Sequence, residues 1–218
     1  MLTLEQLNQE LFKGGFAWQA ESGEIPKYHP KLSSGLHSNT MYNIGAATAD
    51  VRLRREMAKA MAKMIVEKVS PRYPDIDWLV CPGYSSVQLV AEVARLIGAK
   101  HSGFTDKTGN GSMACRFNIK PGEKVLPFDD AITTGRATSL SLSAIMHVQP
   151  DVVLIGDCYC VVSYKEEPER LPNVPVSPLI RPDGVELYHK ESCLLCEAGS
   201  LAIAPKINGN WNRLLAQT

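Results

Sequence analysis

The spacing of hydrophobic and polar positions changes character three times along the chain. Thr3 stands where a helix cap belongs, and the pattern behind it predicts a first helix to about Phe12, stopped by Gly14-Gly15. Residues 16–49 then lose any long period. Gly, Ser, Pro and His are frequent there, and only short extended pieces are expected, near Lys31 and over 41–44. Asp50 reads as the cap of a long amphipathic helix in which Met57, Met61, Met64, Ile65 and Val69 recur at helical spacing. That methionine stripe reads as core. Pro71 and Pro74 are expected to end the helical region.

From Asp77 onward short apolar runs alternate with helical patterns. Strands are expected over 78–81, 101–105, 124–128 and 152–162, with helices over 87–97 and 138–147. The polar, glycine-containing stretch 107–112 reads as a mobile loop, and the proline-rich residues 165–186 as peripheral. A β-α-β-β-α-β order predicts the α/β class: a mainly parallel sheet flanked by helices. The whole of 1–218 reads as one domain, with 16–49 and the C-terminal segment forming a small irregular hood or flap. In such sheets ligands gather at the carboxyl ends of strands. The turns after Cys81, Thr105 and Asp130 therefore converge on one candidate site.

Composition narrows the function. The chain has 218 residues, 44% of them hydrophobic, which is enough for a packed core. Its 23 basic residues balance 23 acidic ones, so no nucleic-acid partner is expected. No apolar stretch is long enough to span a bilayer, and the N-terminus lacks a signal-peptide core. The expectation is a soluble cytoplasmic protein without a membrane partner.

The chemistry concentrates in Val125-Leu126-Pro127-Phe128-Asp129-Asp130-Ala131-Ile132-Thr133-Thr134-Gly135-Arg136-Ala137-Thr138. An apolar run leads to two adjacent carboxylates, a hydroxyl-rich turn and a helix start. A helix N-terminus offers unpaired N–H groups to a phosphate, and Thr133, Thr134 and Thr138 add hydroxyls. Gly135 would allow close backbone approach. Asp129 and Asp130 would repel a phosphate, so a sugar diol suits them better. Pro127 removes a ladder donor, so local irregularity is expected there.

This segment resembles the phosphoribosyl pyrophosphate (PRPP) motif of the type I phosphoribosyltransferases. The resemblance implies that the acids hold the ribose hydroxyls and that residues 133–138, Arg136 and Ala137 included, cradle the 5′-phosphate. It implies that Gly83-Tyr84-Ser85-Ser86, one strand earlier, is the pyrophosphate loop. The segment around Ser33-Ser34-Gly35 with Tyr42-Asn43 is similar to the part of orotate phosphoribosyltransferases that covers the base. His37 is given no catalytic role and reads as a solvated loop residue. The implied activity is transfer of the phosphoribosyl group to orotate, with magnesium carried mainly by PRPP. A homodimer is expected, with 41–44 contributing to its interface. The alternatives are the same fold acting on another base, and a catalytically weak PRPP- or nucleotide-binding regulatory protein.

Two departures from the family pattern stand out. The family's catalytic loop is rich in Arg and Lys, whereas here only Lys107 fits as a cation and Asp106 stands where a base is expected. Lys107 is accordingly the catalytic candidate beside Asp129 and Asp130, with Arg116 and Lys120 as partial substitutes. The late strand that in orotate enzymes ends in Asp-Arg leads here into Ser163-Tyr164-Lys165-Glu166.

Six cysteines complete the inventory. Cys81, Cys158 and Cys160 lie in apolar runs and read as small buried hydrophobes. Cys115 carries no motif. Cys193 and Cys196 form a C-x-x-C unit with no second such unit, and His189 is the nearest further ligand type. The pair reads as structural thiols, and no metal ligand is assigned.

Overall fold

A computed structural model describes residues 1–217 apart from 71, 74 and 172. The expected helix-ending prolines at 71 and 74 thus lie outside the described residues. The chain divides into two units. The larger comprises residues 1–8 and 44–181, the smaller 9–43 and the chain from 182 onward. The helix Leu4–Lys13 spans the boundary in sequence. Thr3 and Gln6 start it with reciprocal side-chain-to-backbone bonds of 3.0 and 3.1 Å.

In the larger unit the elements are α1 (Val51–Val69), β1 (Trp78–Pro82), α2 (Val87–Ile97), β2 (His101–Lys107), β3 (Met113–Cys115), β4 (Lys124–Ile132), α3 (Arg136–Val148), β5 (Val153–Leu154), β6 (Cys158–Ser163) and β7 (Val176–Ile180). They build one sheet in the order β7-β6-β4-β1-β2-β3, with β5 beside β4. The order arises from a reversal. The chain leaves β1 through α2 to β2, returns across β1 to β4, and continues through α3 toward β6. The topological switch therefore falls between β1 and β4. All pairings are parallel except β3, which turns back on β2.

The predicted helical stripe is the buried face of α1: Met57, Met61, Ile65 and Val69 are buried, and Met64 is half-buried. Asp50 caps it by accepting the N–H groups of Arg52 and Leu53 at 2.8 and 3.0 Å. Trp78, Val80, Ile119, Val125 and Ile145 form one core cluster, and Ile132, Leu142, Cys158, Cys160 and Leu171 another.

Four expectations need correction. β4 continues past Phe128 to Ile132, so both acids lie inside the strand rather than after it. β6 holds them there, pairing from Tyr159 opposite Phe128 to Ser163 opposite Ile132. Pro127 sits inside this strand without breaking it. It is the last residue in register with β1, and Phe128 is the first in register with β6, so the missing donor falls at a hand-over between neighbours. Secondly, the run 152–162 is two strands. Gly156, at φ 65°, bends the chain between them, and a Cβ there would lie 2.9 Å from Leu126 Cδ1. Thirdly, residues 165–186 are not wholly peripheral, because β7 is an edge strand of the main sheet. Its Pro178 is tolerated at that edge. Finally, 107–112 is the turn of a β2–β3 hairpin. Thr108 and Ser112 pair across it, and Asn110 Oδ1 accepts the hydroxyls of both.

The smaller unit is a set of two-stranded ladders. Ala17–Gln19 pairs antiparallel with Thr40–Tyr42, His37–Ser38 antiparallel with Leu187–Tyr188, and Tyr28–Pro30 parallel with Leu201–Ile203. Trp18, Leu32, Leu36, Met41, Tyr42, Leu195 and Leu214 are buried. Met41 and Tyr42 are therefore core residues of the chain itself, as is Ile44 in the larger unit. The dimer role expected for 41–44 is withdrawn on that ground.

Candidate functional site

The site is built at the carboxyl end of β4. Asp129 and Asp130 are only 5% and 8% exposed. Successive strand residues face opposite sides, and Asp129 turns toward α3. There its Oδ2 accepts the Thr138 hydroxyl at 2.7 Å, while Oδ1 accepts the Asp130 N–H at 2.8 Å. Asp130 Oδ1 accepts the Ala131 N–H at 2.7 Å. Burial, and after it the charge of Asp130, holds the Asp129 carboxyl well above the usual carboxylate range.

Past the acids, Thr133 and Thr134 are half-buried and Gly135 precedes α3 at φ 75°. The Ser139 N–H donates to Gly135 O at 2.9 Å, so the amides of the first turn, on Ala137 and Thr138, point out of the helix end. Arg136 is exposed, and its N–H reaches Thr134 Oγ1 at 3.4 Å. The Thr134 carbonyl accepts the Arg170 N–H at 2.9 Å, which ties the turn to the chain after β6. Packing gives Gly135 a reason of its own beside the one expected from sequence. A Cβ there would lie 2.6 Å from Leu171 Cγ and 3.3 Å from Pro168 Cβ. Positive φ and this packing by themselves require the glycine.

The turn after β1 lies across the topological switch from these residues. Gly83, at φ 70°, donates its N–H to Thr105 O at 2.8 Å. Tyr84 is 70% exposed, with its ring 5.2 Å from that of Phe104. Ser85 is exposed at the surface of the turn. Ser86 occupies the cap position of α2 but makes no capping bond. Its hydroxyl is buried without a hydrogen-bond partner among the described residues. A buried orphan hydroxyl at a helix start is costly unless something else satisfies it.

The cations expected around the third turn are differently placed. Lys107 is exposed at the carboxyl end of β2, opposite Met113. Arg116 is ion-paired with the buried Asp106, so its charge is compensated. Lys120 lies in the turn before β4, at the amino edge of the sheet, where its N–H bonds Glu123. It belongs to the wrong end of the strand to substitute for a loop cation. Lys165 is ion-paired with Glu169.

In the smaller unit, Ser33-Ser34-Gly35 forms a turn closed by Gly35 N–H to Leu32 O at 2.9 Å and Leu32 N–H to Leu36 O at 2.8 Å. Gly35 has φ 90°, with open space where a Cβ would stand. His37 is not solvated: it is 3% exposed and 3.2 Å from the ring nitrogen of His29. His29 carried no local signal in the sequence, because apart from His37 its polar neighbours in space, Cys193, Cys196 and Ser200, are far off along the chain. Cys193 and Cys196 were visible as a C-x-x-C unit, but they face these histidines and not His189.

No protein-family model matches the chain. It is similar to the orotate phosphoribosyltransferase of Wolinella succinogenes, 31% identical over 200 residues, covering 87% of this chain and 95% of that protein. It is 28% identical over 179 residues to the orotate phosphoribosyltransferase of Carboxydothermus hydrogenoformans, covering 81% and 88%. Among solved structures, orotate phosphoribosyltransferase from Aeropyrum pernix superposes with a TM-score of 0.59 at 16% identity, over 79% of this chain and 92% of that one. Adenine phosphoribosyltransferase from Saccharomyces cerevisiae gives 0.56 at 17% identity, over 81% and 99%. At such identities the structural likeness is one of fold.

Proposed function

The chain belongs to the orotate phosphoribosyltransferase family, and from that premise we propose that it moves the 5-phosphoribosyl group of PRPP onto orotate. A bond forms between a ring nitrogen of the base and ribose C1 as the bond from C1 to the pyrophosphate oxygen breaks. The products are orotidine 5′-phosphate and pyrophosphate. The observation that carries this reading is the pair of buried acids at the end of β4, followed directly by the hydroxyl-rich turn and the start of α3.

In this reading Asp130 and Asp129 accept the ribose hydroxyls. The 5′-phosphate lies on the amides from Thr133 to Thr138 and on the hydroxyls of Thr133 and Thr134, with Gly135 shaping the turn and the Thr138 hydroxyl committed to Asp129. Gly83, Tyr84, Ser85 and Ser86 receive the pyrophosphate, which would give the Ser86 hydroxyl the acceptor it lacks. Lys107 meets the negative charge that builds on the leaving group. Ser33, Ser34 and Gly35 are assigned to the base. Little proton transfer is needed, so positioning and charge stabilisation do most of the catalysis.

The donors at the end of β4 suit magnesium. Asp129 and Asp130 offer hard carboxylate oxygens, and burial holds the neighbouring thiols of Cys81, Cys158 and Cys160 in their protonated form. Held chiefly by PRPP itself, the ion would neutralise phosphate charge. A cytoplasmic homodimer belongs to the same proposal. Among the described residues no helix is long and apolar enough to cross a membrane.

A second reading, a PRPP-binding regulator of low activity, is favoured by the β2–β3 hairpin and by the Asp106–Arg116 pair, which withdraws a cation. The test is pyrophosphate release with PRPP, magnesium and a panel of orotate, uracil, adenine and hypoxanthine. Release with orotate alone is expected. PRPP binding by calorimetry without release for any base would select the regulator.

A further inference from the structure

Four side chains of the smaller unit converge where neither the sequence nor the proposed reaction gives them work. They are His29 on the strand Tyr28–Pro30, His37 on the strand His37–Ser38, Cys193 at the cap of the short helix Leu194–Glu197, and Cys196 within it. His29, His37 and Cys193 are 0%, 3% and 1% exposed, and Cys196 is half-buried. Both cysteines are free thiols. One donor atom from each of the four lies within 4.8 Å of all the others.

The spacings have the dimensions of a coordination tetrahedron. With zinc–nitrogen bonds of about 2.0–2.1 Å and zinc–sulfur bonds of about 2.3 Å, the edges of a tetrahedron are roughly 3.3 Å between nitrogens and roughly 3.5 Å between nitrogen and sulfur. Here His29 Nε2 and His37 Nδ1 are 3.2 Å apart. Three of the four nitrogen–sulfur edges are 3.6 Å from Cys193 to His29, 3.5 Å from Cys196 to His29 and 3.4 Å from Cys196 to His37, and the fourth is within 4.8 Å.

Hydrogen bonding does not account for this arrangement. His29 Nε2 has one in-plane lone pair or one proton, yet three donor atoms crowd it at 3.2–3.6 Å. A cation at the centre satisfies all four at once. The other nitrogen of His29, Nδ1, lies 2.8 Å from the hydroxyl of the buried Ser200. Such an outer partner fixes which nitrogen faces a metal. Two thiolates and two neutral imidazoles would neutralise a divalent ion, as a buried site requires. The donor set is borderline-soft and fills all four positions, which suits zinc in a closed structural site with no place for substrate.

We propose that His29, His37, Cys193 and Cys196 bind one structural zinc ion that clamps the two chain segments of the smaller unit together. Binding would release the thiol protons of both cysteines and form four bonds with no redox change. The role is separate from phosphoribosyl transfer and does not depend on it.

The test is elemental analysis of the full chain, purified without a histidine tag from zinc-supplemented cells, followed by replacement with cobalt. The expected result is one zinc per chain. The cobalt form should show the visible bands of tetrahedral coordination and a sulfur-to-cobalt charge-transfer band. Cys196→Ser, at the most accessible ligand, should weaken binding at least tenfold, Ser200→Ala about 10–100-fold, and His189→Ala not at all. X-ray absorption on the wild-type chain should find two sulfur and two nitrogen neighbours, a measurement that stands even if the variants fail to fold. A wild-type chain that takes up neither metal from excess, an octahedral cobalt spectrum, unchanged affinity in Cys196→Ser, or loss of metal in His189→Ala would each overturn the assignment.

Discussion

The two edges of the main sheet are finished to different standards. At the amino edge the carboxylates of Asp77 and Glu123 are engaged. Asp77 takes the Lys100 ammonium at 2.7 Å on one oxygen and the Lys124 N–H at 2.8 Å on the other. Glu123 Oε2 accepts the Trp78 indole N–H at 2.7 Å and the Lys120 N–H at 2.8 Å. At the carboxyl edge two aspartates stand side by side, the Ser86 hydroxyl is buried without a partner among the described residues, and each turn contains a glycine of positive φ. The aspartates record the difference in opposite directions. The Lys100 ammonium, then the Lys124 amide, hold Asp77 below the usual carboxylate range, while burial and Asp130 hold Asp129 well above it. One edge is closed for stability. The other carries unfavourable terms that a sugar and its phosphates would relieve.

The substitution best able to blur this contrast is Gly135→Val, because it lies at the carboxyl edge yet should act on folding. Overpacking against Leu171 and a β-branched residue at positive φ together should cost roughly 4 kcal/mol in denaturant unfolding. Leu171→Ala in the same chain should recover part of that loss. No recovery would separate the glycine from its packing. Asp130→Asn is the opposite case. PRPP affinity by calorimetry should fall about 10–100-fold, the worth of charge-assisted bonds to hydroxyls, with the unfolding midpoint held or raised. Asp77→Ala should mirror it, costing about 2 kcal/mol of stability and leaving PRPP affinity unchanged.

The smallest effect is one of pH. The contribution of Asp77 is present above the ordinary aspartate pKa and is lost as pH falls through its lower folded value. Asp129 behaves inversely: the folded chain keeps a proton that the unfolded chain has released, so stability falls as pH climbs from the ordinary value toward the folded one. Asp129→Asn should therefore raise stability at neutral pH, and the gain should vanish below pH of about 4. Unfolding curves at both pH values check the sign.

The strand–turn–helix of the site was readable in the sequence because its parts are consecutive: apolar run, acids, hydroxyls, helix start. So were α1, with its methionine stripe and Asp50 cap, and α2. The misreadings share a cause. Acids at the end of an apolar run look like the end of a strand, but β6 extends the pairing through Ile132. Prolines made the stretch holding β7 look peripheral, although an edge strand of the sheet tolerates Pro178. Polarity and glycine hid the hairpin turn at 107–112, whose Thr108, Asn110 and Ser112 bond one another. The purpose of Gly135 depends on Leu171, and the company of His29 depends on Cys193. Those relations exist only after the chain has folded.

The smaller unit takes one segment from each side of the larger one in sequence, which imposes an order on synthesis. His29 meets its ladder partner Ala202 and its hydroxyl partner Ser200 only when the last part of the chain has been made. These contacts span 171 residues for Ser200 and 164 for Cys193, so at ribosomal rates of about 5–20 residues per second the early segment waits on the order of ten to thirty seconds for its complement. During that interval residues 44–181 can emerge and collapse on their own sheet, while the strands 28–30 and 37–38 stay unpaired with the later segment. A nascent chain stalled with residues 1–186 clear of the ribosome should thus hold a protease-resistant core that begins near Ile44 and an N-terminal segment that is still cleavable.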